Sequence, residues 1–231
     1  MCRIFILFLT VVLFCVSGAI GQDTNKEWQA FHEKGKTAYN SKDYNGAVIY
    51  FTKALDFDPK NARSYMGRGC AFNNTKKYPE AIADLTKSIE LEPSPKTMDV
   101  YLVRAGINNV LKKYPEAIED LNKVIKIEPK NANAYGARGI AYNGEKNYSE
   151  AIIDFTKAIE LEPKNANLYA SRGMSYQFLM KYSESIADCN KAIELDPKSF
   201  FAYKVRSGAY LGLGETKKSL VDDAMAKFLN K

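Results

Sequence analysis

Residues 132–163 read ANAYGARGIAYNGEKNYSEAIIDFTKAIELEP, and residues 166–197 read ANLYASRGMSYQFLMKYSESIADCNKAIELDP. A third copy, ARSYMGRGCAFNNTKKYPEAIADLTKSIELEP, stands at 62–93. The period is 34 residues, and self-similarity at a fixed period marks a repeat architecture. Counting columns from residue 28, the repeats are 28–61, 62–95, 98–131, 132–165, 166–199 and 200–231, with a two-residue insertion before the third. Of 15 tyrosines, 13 fall in columns 4, 11 and 17. Columns 4 and 11 are two helical turns apart and share a face. Column 8 is small (Gly35, Gly69, Ala105, Gly139, Gly173, Ser207), and so is column 20 (Ala47, Ala81, Ala117, Ala151, Ser185, Ser219). Facing small residues let two antiparallel helices approach closely. Pro59, Pro93, Pro129, Pro163 and Pro197 stop a second helix in column 32. Asn61, Asn131, Asn165 and Ser199 stand where the next helix needs its N-cap, and Thr97 fills that role after the insertion. Pro79 and Pro115 fit the first turn of a second helix. Each unit is therefore helix A, a turn, helix B and a Pro-marked turn. One hairpin cannot bury its apolar face alone, so neighbours stack.

These columns resemble the tetratricopeptide repeat family. The resemblance rests on the column 4, 11 and 17 aromatics, the small columns 8 and 20, Phe51, Leu85, Leu121 and Phe155 in column 24, and the column 32 prolines. It covers about 28–231 and implies an all-α fold, a right-handed superhelical solenoid of antiparallel helix hairpins whose A helices line a concave groove. One departure is coherent. Column 7, usually apolar in the family, is Arg68, Arg104, Arg138, Arg172 and Arg206, while column 23 is Asp84, Asp120, Asp154, Asp188 and Asp222. The first repeat has Lys34 and Tyr50 instead. Arg and Asp come and go together, which predicts a ladder of pairs between helices A and B; an arginine row for anionic ligands is the alternative.

Residues 1–21, MCRIFILFLTVVLFCVSGAIG, carry one Arg, an apolar run over Ile4–Val16 and small residues after it, the layout of a secretory signal peptide cleaved before Gln22. The run is short for a spanning helix, which needs about 20 residues; an uncleaved N-terminal anchor is the alternative. Residues 22–27 form a short lead into the repeats. Cleavage predicts an exported protein (periplasmic, lumenal or secreted) with no membrane contact thereafter.

The composition narrows the function. Lys plus Arg is 33 and Asp plus Glu is 27, interspersed, so no polybasic nucleic-acid arm exists. His32 is the only histidine, which excludes a multi-His metal site and argues against a Ser-His-Asp machine. No Gly-rich phosphate loop, Cys-x-x-Cys or His-x-x-x-His occurs. Cys70 and Cys189 read as small apolar fillers rather than a disulfide framework. The sequence thus implies no catalytic residues, no metal, no cofactor and no nucleic-acid partner.

What remains is recognition of a protein or peptide. In the family, columns 2, 5, 9 and 12 of helix A tend to line the groove. The matching candidates here are His32, Met66, Leu102 and Lys204 from column 5, and Lys36, Cys70, Ile140 and Met174 from column 9. Column 12 adds Asn73, Asn109, Asn143 and Gln177. The middle of that groove is uncharged, with a row of amides that resembles a peptide-backbone ladder; helix-end Asn residues that favour a turn are the alternative. Co-chaperone members of the family bind acidic chaperone tails through a carboxylate clamp. At its positions this sequence has His32, Lys36, Gly67, Asp99 and Val103, none of which matches. The expectation is an exported, non-enzymatic adaptor or scaffold binding peptide segments. A chaperone-like holder of unfolded chains and a self-associating structural protein are the other readings. The third repeat, with Asn108 and Gly106 in unusual columns, is expected to form a hinge or simply a longer turn. The sixth decays after Tyr210 and, with Lys217, Lys218, Lys227 and Lys231, is expected to present a polar outer face as a C-terminal cap.

Overall fold

The structure is a computed structural model that describes residues 26–93 and 98–230. Residues 1–25, where a signal peptide is expected, residues 94–97, which hold the insertion, and Lys231 lie outside the described residues. All regular structure among the described residues is helical. Helix α1 (26–40) pairs with α2 (Tyr44–Phe57), and α3 (Ala62–Asn74) with α4 (Tyr78–Leu91). Then come α5 (Met98–Val110), α6 (Tyr114–Ile127), α7 (Ala132–Gly144), α8 (Tyr148–Leu161), α9 (Ala166–Phe178), α10 (Tyr182–Leu195), α11 (Phe200–Gly212) and α12 (Thr216–Leu229). The chain forms two compact units, divided between Val100 and Tyr101.

The repeat chemistry explains the boundaries. Asn61, Asn131, Asn165 and Ser199 each cap their A helix by accepting a backbone N–H of its first turn. The turn between A and B is the same in all six repeats. Column 15 holds Lys42, Lys76, Lys112, Lys146, Met180 and Gly214, all at φ between 59° and 77°. The Lys76 N–H donates to the Asn73 carbonyl at 3.0 Å and the Lys77 N–H to the Phe72 carbonyl at 2.9 Å. That is a Schellman ending, which satisfies the last carbonyls of helix A. Five of the six repeats accept a side chain in the left-handed region to obtain it.

The core is built from the small columns. Ala47, Ala81, Ala117 and Ala151 are fully buried, as are Leu85, Leu121 and Phe155. A Cβ on Gly69 would sit 3.2 Å from the Ala81 carbonyl, and one on Gly139 would meet the Phe155 ring at 2.9 Å. Helices A and B therefore touch almost backbone to backbone at this column.

The Arg–Asp ladder is present in repeats two to six. Each guanidinium grips its carboxylate with two parallel hydrogen bonds, 2.7 and 2.9 Å for Arg68–Asp84 and 2.7 and 2.8 Å for Arg138–Asp154. Arg104–Asp120, Arg172–Asp188 and Arg206–Asp222 repeat the geometry. The third nitrogen reaches back one repeat: Arg68 to Thr52 at 3.2 Å, Arg172 to Thr156 at 3.0 Å, Arg138 to Asn122 at 2.5 Å and Arg206 to Asn190 at 2.6 Å. In repeats two, four and six rings from columns 4 and 11 both lie beside the cation, as Tyr135 and Tyr142 do at 5.6 and 5.9 Å from the Arg138 guanidinium carbon. Arg68, Arg138, Arg172 and Arg206 thus tie helix A both to its own helix B and to the preceding one.

In the sixth repeat the outer face is polar only in part: Lys217, Lys218 and Lys227 are exposed as expected, but apolar side chains stand beside them. Asp222 turns inward to Arg206, and Asp223 pairs with Lys204 at 3.1 Å. The outward face carries Leu220, Val221, Met225 and Phe228, each 40–70% exposed, beside the exposed Lys217, Lys218 and Lys227. The physical reason is helical phase: the acids of α12 belong to its packed side, so they cannot cover its outer one.

Candidate peptide-binding site

In the first unit a cavity of about 620 Å³ opens between α1, α3 and the end of α4. Trp28, His32, Met66 and Val100 line it, with Phe51 also on its wall. Phe51 belongs to α2 and reaches the cavity because Gly67 has no side chain; a Cβ there would lie 2.5 Å from the ring. His32 stands edge-on to Phe51 at 5.4 Å and to Trp28 at 5.8 Å. Its Nδ1 lies 2.9 Å from the Ser64 hydroxyl, which is fully buried. That contact fixes the ring; the buried hydroxyl has no access to a substrate. Burial lowers the His32 pKa, Lys36 and Arg63 push the same way, and Glu33 opposes them. The imidazole is therefore neutral at neutral pH. The rim carries both signs: Lys36 paired with Glu33 at 2.9 Å, and Arg63 and Glu92. An apolar, aromatic wall under a polar rim suits one large apolar side chain of a peptide whose backbone stays at the edge.

Of the residues expected in the groove, His32, Lys36 and Met66 come together at this cavity. Cys70 is half-buried, and burial raises its thiol to about 11, so it stays protonated. Cys189 is buried and raised to about 12. Asn73 is half-buried and its carbonyl closes the turn to Lys76. Trp28, Arg63, Glu92 and Val100 were not anticipated. Arg63 was within reach of the column 2 rule, whereas Trp28 and Glu92 lie at helix ends whose position only packing sets.

The second unit holds the other candidates. The Asn109 amide donates to the Ala137 carbonyl at 3.0 Å, and its Oδ1 is enclosed with no partner. The Asn143 Oδ1 is 2.8 Å from the Ser175 hydroxyl, and its Nδ2 is enclosed with no partner. The Gln177 amide lies against Gly208 of the next A helix. These amides fold onto the following repeat instead of standing free. Leu102 and Met174 are half-buried, Ile140 is 51% exposed, and Lys204 is held by Asp223.

Comparison with known proteins agrees with this architecture. Tetratricopeptide repeat models match 29–61, 62–95, 132–165 and 166–199, and a TPR repeat model matches 111–144. The chain belongs to the tetratricopeptide repeat family. It is 38% identical over 73 residues to the human DnaJ homolog subfamily C member 7, covering 32% of this chain and 15% of that protein. It is 40% identical over 60 residues to the heat shock protein sti1 homolog of Schizosaccharomyces pombe, covering 26% and 10%. The chain thus spans only a small part of these relatives. Among solved structures, MamA from Desulfovibrio magneticus RS-1 superimposes with a TM-score of 0.71 at 18% identity, over 75% of this chain and 97% of that one. YrrB, described as a TPR protein with an unusual peptide-binding site, gives 0.69 at 19%, over 80% and 94%. The fold is an all-α TPR solenoid, and the family supports a protein-interaction scaffold with protein or peptide partners.

Proposed function

We propose that this protein is an exported, non-enzymatic scaffold that holds peptide segments against its A helices, with the Trp28–His32–Met66 cavity as the anchor. The observation that carries the reading is the convergence of three groove-column residues, His32, Lys36 and Met66, on one apolar cavity. YrrB, similar in fold, is described by its peptide-binding site, and the relatives matched over 60–73 residues are named as a DnaJ homolog and a heat shock protein sti1 homolog. The carboxylate-clamp positions hold His32, Lys36, Gly67, Asp99 and Val103, so acidic-tail recognition is not part of the proposal. Export rests on the pattern of residues 1–21.

Trp28 is the only tryptophan, so its fluorescence reports the cavity directly. Titration with a panel of extended peptides bearing one aromatic or Met anchor is expected to shift its emission. Met66→Glu should abolish that shift while the helical circular dichroism stays unchanged. Equal binding by the variant moves the site elsewhere. N-terminal sequencing of the exported protein should begin at Gln22; recovery of intact Met1 in the cell membrane refutes the cleavage. The chaperone-like alternative draws on the exposed Ile140 and half-buried Met174, and predicts that sequence-unrelated unfolded chains compete with the anchor peptides.

A further inference from the structure

Among the titratable side chains around the first-unit cavity, His32 alone belongs to the aromatic wall; Glu33, Lys36, Arg63 and Glu92 stand on the rim. The ring lies edge-on to Trp28 at 5.8 Å and to Phe51 at 5.4 Å, and Met66 lines the same space. We propose that His32 is a pH gate on this site: the cavity holds an apolar peptide anchor while the imidazole is neutral and releases it when the ring takes a proton. The inference rests on the anchor reading above and adds its regulation.

Three features carry it. First, the added charge is unmatched. On α1 both Glu33 oxygens are taken by Lys36, at 2.9 and 3.0 Å. From α3 Arg63 faces the cavity as a cation and from the end of α4 Glu92 as an anion, while α2 and α5 bring only Phe51 and Val100. These rim charges cancel, so a proton on His32 leaves the cavity with a net positive charge. Second, the ring keeps its place in either state. Its Nδ1 lies 2.9 Å from the buried Ser64 hydroxyl, and the Ser64 N–H is held by the Asn61 side chain at 2.9 Å. That hydroxyl can donate to a neutral Nδ1 and accept from a protonated one. Protonation therefore changes the polarity of the wall and not its shape. Third, the occupant and the proton compete. An anchor seated against the ring removes the water that solvates an imidazolium, so the charged form costs more in the complex. By linkage the same free energy appears as weaker binding in acid and as a lower His32 pKa in the complex. Burial, with Lys36 and Arg63, already holds that pKa below 6.5 against the pull of Glu33, so the gate works on the acid side of 6.5.

The probe is acetyl-Gly-Gly-Phe-Gly-Gly-amide, which has no titratable group, and the readout is Trp28 emission of the purified, untagged protein. Its dissociation constant is expected to rise between about threefold and tenfold from pH 7.5 to pH 5.0, a pKa difference of one unit being worth at most about tenfold. In His32→Gln the two constants should agree. His32 is the only histidine, so its imidazole gives one titrating proton resonance. The midpoint of that titration should move to lower pH when the peptide is added, a readout that needs no variant. Equal binding at the two pH values, or a midpoint that does not move, overturns the gate and leaves the anchor site standing. A pH dependence that survives in His32→Gln overturns it in favour of a rim carboxylate. Loss of helical circular dichroism at pH 5.0 overturns it too, the release then being unfolding. No binding at either pH refutes the anchor site itself and the gate with it.

Discussion

The first repeat and the five that follow share a hairpin but fill its seam differently. From the second repeat on, a buried aspartate on helix B is met by an arginine on helix A, and in repeats two, four, five and six that arginine also grips the preceding helix B. In the first repeat Lys34 and Tyr50 replace that pair, and the Lys34 ammonium lies 5.2 Å from the Phe31 ring, itself stacked on Phe57 at 5.7 Å. The difference shows that the arginine is an element of stacking as much as of the hairpin. Among the described residues α1 follows no helix B, and an arginine there would meet none of the Thr or Asn acceptors that its counterparts use. A lysine on an aromatic ring stays solvated and leaves no buried carboxylate to neutralise. The ladder also discriminates: two charges desolvated together fix which faces meet, even where apolar residues would be as stable.

The strongest way to break the comparison is Arg138→Ala. Asp154 is 3% exposed, and without its partner it becomes an uncompensated buried charge. We expect a loss of about 3–5 kcal/mol, read from urea unfolding followed by circular dichroism. Lys34→Ala in the first repeat should cost well under a third of that. Similar losses in the two variants would show that the ladder is not what distinguishes the repeats.

A smaller change isolates the link between repeats. Thr156→Val removes the hydroxyl that accepts from Arg172 at 3.0 Å and leaves the Arg172–Asp188 pair intact. The expected loss is about 1 kcal/mol. Hydrogen exchange should rise most where α8 meets α9; exchange raised evenly along the chain contradicts a local link.

The smallest effect belongs to the first repeat and its cavity. His32 has a pKa lowered below its ordinary 6.5 by burial, so the unfolded chain binds its proton more readily. Its contribution to stability is whole above pH 6.5 and is lost as pH falls through 6.5 and then through the folded value. Trp28 fluorescence during urea unfolding should show a lower midpoint at pH 5.5 than at 7.5, and His32→Asn should flatten that dependence. An unchanged slope in the variant assigns the effect to another group.

Much of this was legible in the residues. The column 7 and 23 pairs were visible because Arg and Asp appear and vanish together, 16 residues apart, across a hairpin whose geometry the repeat fixes. The caps Asn61, Asn131, Asn165 and Ser199 were visible because capping is local. The left-handed column 15 was not, since lysine has no preference for that region and the turn imposes it through two backbone hydrogen bonds. The packing of the amide row was not legible: Asn109, Asn143 and Gln177 reach the next A helix, and that reach depends on how repeats stack.

The sequence by itself determined the 34-residue period, the hairpin, the stops and caps, and the identity of the ladder. These depend on residues close together in one repeat. Only the tertiary structure decided that Thr52, Asn122, Thr156 and Asn190 complete the ladder, that Gly67 lets Phe51 reach the cavity wall, and that α12 turns its acids inward and its Leu220–Phe228 stripe outward. Each of these is set by the rotation of one helix against its neighbour, which is a property of packed surfaces and not of any single column.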